Sequence, residues 1–117
     1  MTAPRPLASW LMFLTGLAHV GNFVALGMSP AAVGLAVFGA LYLVTGMALR
    51  GAGRAGPILG VLLPALGGAG GAAALADAFS PLMLAYVLVD LAVVALCVRV
   101  LLVGGAGGAR AERGAAE

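Results

Sequence analysis

Residues 81–103 read PLMLAYVLVDLAVVALCVRVLLV. Apart from Asp90 and Arg99, nothing in this run carries a charge. A helix that crosses a bilayer needs roughly 20 mostly apolar residues, and this run supplies them. Proline stands at its first position, where its missing N–H breaks no helical hydrogen bond. Ser80 precedes it in the place of an N-cap.

Working outward, three more runs of the same kind appear at 7–27, 31–49 and 57–76. Ser29-Pro30 opens the second as Ser80-Pro81 opens the fourth. The middle break holds Arg50, Gly51, Gly53, Arg54 and Gly56. Such short connections make sequential helices antiparallel neighbours. The expected fold is an all-α membrane protein, a bundle of four transmembrane helices built as two tandem helical hairpins. The remaining residues 104–117 are Gly/Ala-rich and charged, and are expected to form a disordered cytoplasmic tail.

Composition supports the same solvent. Of 117 residues, 63% are apolar and 9% charged, where a soluble domain carries about a quarter charged residues. A chain this short buries only about two-thirds of its unfolded surface, so water is the wrong medium for most of it. Alanine, glycine, valine, leucine and arginine dominate and lysine is missing, which points to a GC-rich, bacterial genome.

The arginines set an expected orientation. Arg5, Arg50, Arg54, Arg110 and Arg113 fall on one side of a four-span chain, and the other side has Asp77 and no basic residue. The positive-inside rule then places both termini in the cytoplasm, in a multi-pass protein of the cell's inner (plasma) membrane. Arg99 lies near the same end, where its stem can snorkel. Trp10 and Phe79 fit interfacial belts. Residues 5–27 also have the outline of a signal peptide. His19 and Asn22 inside its apolar core, and the odd number of spans that cleavage would leave, weigh against that.

A shift of 51 residues lays Ser29-Pro30 on Ser80-Pro81, Gly16 on Gly67, Ala18 on Ala69 and Ala25 on Ala76. Two parallel hairpin repeats would give this pattern; so would chance in so glycine- and alanine-rich a chain. Gly67 and Gly71 form a GxxxG pair, and Gly39 and Gly46 share a face, both suited to close helix approach. Pro64 removes a backbone hydrogen bond inside the third helix and is expected to kink it near Gly60.

Polar residues inside the spans are few and patterned. Thr15, His19 and Asn22 share a face of the first helix; Tyr86, Asp90 and Cys97 share one of the fourth; Tyr42 and Thr45 lie on the second. His19 stands twelve residues past Leu7 and Asp90 thirteen before Val103. At about 1.5 Å per residue, both fall just past the middle of a roughly 30 Å core. They are therefore expected to face each other, with Asn22 nearer the outer mouth at the level of Tyr86. An ionised aspartate at that depth is costly without a partner, and His19 is the titratable partner this reading supplies. The candidate intramembrane site is His19, Asp90, Asn22, Tyr86 and Thr15.

One cysteine and one histidine exclude an internal disulfide, a structural zinc site and an Fe–S or bis-His haem centre within one chain. No cofactor or metal is implied. Six arginines without a recognition motif give no nucleic-acid surface. The partners left are the lipid bilayer and either a second copy or a larger membrane complex. No nucleophile–base set beyond Asp90 and His19 is present, so an enzyme is the weakest reading. The sequence favours a non-enzymatic accessory or structural subunit; its alternative is a small proton-coupled transporter or channel with a midplane His–Asp site.

Overall fold

The computed structural model describes residues 3–117. Four helices follow in order: α1 (Pro4–Leu26), α2 (Pro30–Arg50), α3 (Ala55–Asp77) and α4 (Pro81–Ala116). Each is long and apolar enough to cross a membrane. Their boundaries lie within three residues of the expected spans, except at the end of α4.

There the structure differs from the expected tail. The helix runs on through 104–116 instead of giving way to coil. Alanine and arginine are good helix formers, and an established helix adds residues cheaply. The extension is exposed throughout, so no packing supports it; its alanines and arginines favour the helix and its five glycines oppose it.

Start and stop chemistry is local. Ser29 Oγ accepts the amide of Ala32 at 3.1 Å, and Ser80 Oγ accepts that of Met83 at 3.3 Å. Gly27 ends α1 with φ at 72°, a conformation that costs glycine little. Pro64 is buried inside α3 without ending it.

Packing is closest within the hairpins α1–α2 and α3–α4, looser between α1 and α4 and between α2 and α3, and slight between α1 and α3. The helices therefore stand around the bundle in chain order. Within the first hairpin, a Cβ on Gly16 would lie 2.8 Å from the Gly39 carbonyl oxygen, and one on Gly39 2.8 Å from that of Gly16. The two backbones touch, as small residues allow where lipid offers no hydrophobic drive for association. Gly46 packs on Ser9 and Met12 from the same face.

The 51-residue shift carries these contacts across. Gly16 against Gly39 corresponds to Gly67 against Asp90, where a Cβ on Gly67 would lie 3.0 Å from Oδ2. Ser9 against Gly46 corresponds to Gly60 against Cys97, where a Cβ on Gly60 would lie 2.5 Å from Sγ. The two hairpins thus use equivalent positions for their internal contacts.

Arginines gather at one end. Arg5 donates to the carbonyls of Gly51 and Gly53, tying the start of α1 to the α2–α3 connection. The Arg50 guanidinium lies over Trp10 at 5.2 Å and Phe13 at 4.8 Å. Its Nε donates to Ser9 Oγ, which donates in turn to the Gly46 carbonyl at 2.7 Å. Arg54 and Arg99 each share a surface cavity with Arg5.

Candidate functional site

The glycine contact between α1 and α2 fixes the first site residue. Gly39 has no side chain, so the Cβ of His19 sits directly against it. The His19 ring is 5.6 Å from that of Tyr42, nearly parallel at 16°, and 4.6 Å from that of Tyr86. Phe38 closes the group at 5.3 Å from Tyr42. Four rings from three helices therefore meet at the centre of the bundle. His19 Nδ1 lies 2.8 Å from the Thr15 carbonyl. A carbonyl only accepts, so Nδ1 carries a proton, and Nε2 is the nitrogen left to accept whenever the ring holds just that one.

Asp90 comes from α4 and is 4% exposed. Tyr42 donates its hydroxyl to Asp90 Oδ1 at 2.8 Å. Gly67 makes room for this pair: a Cβ there would lie 2.5 Å from Tyr42 Oη. The second carboxyl oxygen carries no protein hydrogen bond among the described residues. Nearer the end where α4 begins, Asn22 Nδ2 donates to Tyr86 Oη at 3.2 Å.

His19, Asn22, Tyr86 and Asp90 share a cavity of about 580 Å³. Its wall includes His19, Asn22, Phe38, Met83, Tyr86 and Asp90. It extends from Leu66, at the middle of α3, to Ser80 and Leu82 at the start of α4. It lies between the two hairpins, away from the arginine end. Small residues on α3 leave room for the void. Positions 70 and 71 are glycines where the first hairpin carries His19 and Val20. The second hairpin therefore lacks the bulk that fills the first. A cavity of this size, mostly apolar with a few converging polar groups, has the form of a small-molecule site.

Four of the five expected site residues come together. His19 and Asp90 line one cavity, and Asn22 stands level with Tyr86, as the depth comparison predicts. Thr15 differs: it contributes its backbone carbonyl to His19 and does not line the cavity. The partner of Asp90 differs too. Among the described residues no hydrogen bond joins Asp90 to His19; the Tyr42 hydroxyl takes that place. Tyr42 is the residue the pattern under-reads. Helices α2 and α4 run the same way, and Tyr42 lies thirteen residues past Ser29 where Asp90 lies ten past Ser80, an offset of about one helical turn that a long tyrosine side chain spans. A buried tyrosine hydroxyl also requires an acceptor. Among the described residues no three His, Cys, Asp or Glu side chains form a metal-ligand group.

The chain matches no protein-family model, no curated protein and no solved structure.

Proposed function

We propose that this chain is a multi-pass protein of the inner (plasma) membrane, with cytoplasmic termini, that takes a small molecule into its central cavity from the outer side, as a small transporter does. One observation carries the reading. In an otherwise apolar bundle, Asp90, His19, Asn22 and Tyr86 converge on a cavity that extends from the middle of the bundle toward the end opposite the arginines, as far as Ser80 and Leu82. Groups kept only to hold helices in register gain nothing from such a space, and ionisable residues at this depth mark ligand or proton paths by default. Asp90 and His19 are the groups that a coupled proton would occupy. The orientation rests on the gathering of Arg5, Arg50, Arg54 and Arg99 at one end.

A second reading is an accessory or structural subunit of a larger membrane complex. It draws on the exposed continuation of α4 through 104–116, an element with nothing packed on it.

Adjacent cysteine variants separate the two. Val87 lines the cavity, whereas Leu88 does not and is 57% exposed to the bundle's outside. In intact cells, Val87→Cys should react with a membrane-impermeant methanethiosulfonate, and Leu88→Cys, facing lipid, should not. Equal inertness of both would mean a sealed cavity and would move the accessory reading ahead. Reaction of Val87→Cys only after the inner face is exposed would reverse the orientation.

A further inference from the structure

We infer that the cavity is a site for an organic cation, an amine in its ammonium form joined to a compact apolar body; this rests on the ligand-binding reading above. The charge of the wall is the first argument. Asp90 is its one acidic residue, and no arginine lines it. All six arginines of the chain lie elsewhere: four at the opposite end, and Arg110 and Arg113 on the α4 extension. A cleft lined by one sign of charge with low-dielectric walls concentrates ligands of the other sign.

The second argument is hydrogen-bond polarity. Tyr42 occupies Oδ1 of Asp90, leaving the other carboxyl oxygen as a free acceptor. His19 commits its Nδ1–H to the Thr15 carbonyl, which leaves Nε2 as the acceptor of a singly protonated ring. Asn22 spends one N–H of its amide on Tyr86, and its Oδ1 is an acceptor. The acceptors Asp90 Oδ2, His19 Nε2 and Asn22 Oδ1 thus outnumber the donors left beside them, the Tyr86 O–H and the second Asn22 N–H, which favours a ligand that brings N–H groups. An ammonium supplies donors and a countercharge at once, and the protein places no arginine there to supply the charge.

The third argument is the aromatic wall. Phe38 and Tyr86 line the cavity, with the His19 ring 4.6 Å from Tyr86 and 6.5 Å from Phe38. Ring faces attract cations, most strongly where water is excluded. Leu35, Leu66 and Met83 complete an apolar wall for the body of the ligand. An anion would meet the Asp90 carboxylate, and a neutral alcohol would use at most one of the acceptors.

His19 is the only histidine, so histidine labelled with ¹³C at Cε1 gives one NMR signal, located at the site. That signal ignores probes that merely dissolve in lipid. The full chain in zwitterionic-lipid nanodiscs at pH 7 is titrated with three probes of matched size: 2-phenylethylammonium, 2-phenylethanol and 3-phenylpropanoate. The ammonium should shift the signal saturably, with the alcohol weaker by about tenfold and the carboxylate weaker still. Tyr86→Leu should weaken ammonium binding several-fold, and Asp90→Asn by about tenfold. The probe comparison uses the wild-type chain and does not depend on either variant folding. If alcohol or carboxylate binds as well as the ammonium, the cavity binds ligands but the cation assignment is wrong. If no probe shifts the signal, the ligand-binding reading fails and the assignment falls with it.

Discussion

Replacing Gly67 with alanine tests the central geometry at the cost of one methyl group. The added Cβ would lie 2.5 Å from Tyr42 Oη, 3.0 Å from Asp90 Oδ2 and 3.0 Å from Phe38 Cε1. Tyr42 cannot swing aside cheaply: it is 1% exposed and its ring is flanked by those of His19 and Phe38. Either α3 moves outward or the Tyr42–Asp90 hydrogen bond stretches. Overpacking a fitted site costs about 1–3 kcal/mol. Alanine returns about 1 kcal/mol in helix propensity. The net expectation is a loss of about 0–2 kcal/mol. Gly70, on the same helix, has nothing within 4 Å of a built Cβ. Gly70→Ala therefore keeps the propensity gain and should be neutral or stabilising by up to about 1 kcal/mol. Unfolding both variants in mixed micelles by titration with denaturing detergent measures the difference. The cause is isolated by repeating Gly67→Ala in a Tyr42→Phe background, where the clashing oxygen is gone and the loss should shrink. Equal effects at positions 67 and 70, or a loss untouched by Tyr42→Phe, would refute the packing described around Asp90.

Three further outcomes follow from single contacts. Asp90→Asn keeps an oxygen that can accept from Tyr42, so it should change stability in the same assay by less than about 1 kcal/mol; a larger loss would make the carboxyl structural glue and favour the accessory-subunit reading. Ser9→Ala removes the buried hydrogen bond to the Gly46 carbonyl and the acceptor for Arg50, and should cost about 0.5–1.5 kcal/mol, whereas Ser9→Thr should recover part of it. Truncation after Val103 removes only exposed residues and should leave the unfolding midpoint unchanged; a lower midpoint would show that the extension of α4 packs on the bundle.

The four helices were legible because their signals are local and repeated. Ser-Pro pairs mark two helix starts, glycine and arginine mark the middle break, and the apolar runs have membrane length. Helical spacing also placed His19 and Asp90 on the correct faces and at comparable depth. What spacing cannot supply is which third helix leans over a pair of faces. Tyr42 reaches Asp90 across the bundle because Gly67 of α3 is small enough to let its hydroxyl through, a fact about three helices together. Thr15 failed as a lining residue for a related reason: a shared face says nothing about whether the hydroxyl or the carbonyl is used. The continuation of α4 is not legible because the five glycines of 104–116 argue for coil as strongly as its alanines and arginines argue for helix.

The repeat turns this asymmetry into an argument about how the cavity arose physically. Equivalent contacts hold each hairpin together, yet the equivalent of His19 is Gly70, and the equivalent of Gly39 is Asp90. One hairpin supplies bulk and an aromatic wall; the other supplies the space and the carboxyl. If that division makes the site, restoring bulk at position 70 should close it while sparing the fold. Gly70 lines the cavity and a side chain there meets no atom within 4 Å of its Cβ. Gly70→Leu should therefore keep the wild-type unfolding midpoint and abolish the ammonium-dependent shift of the His19 signal. A fall in stability would mean that α3 is packed where it is described as open. Unchanged binding would mean that the ligand sits somewhere other than between the hairpins.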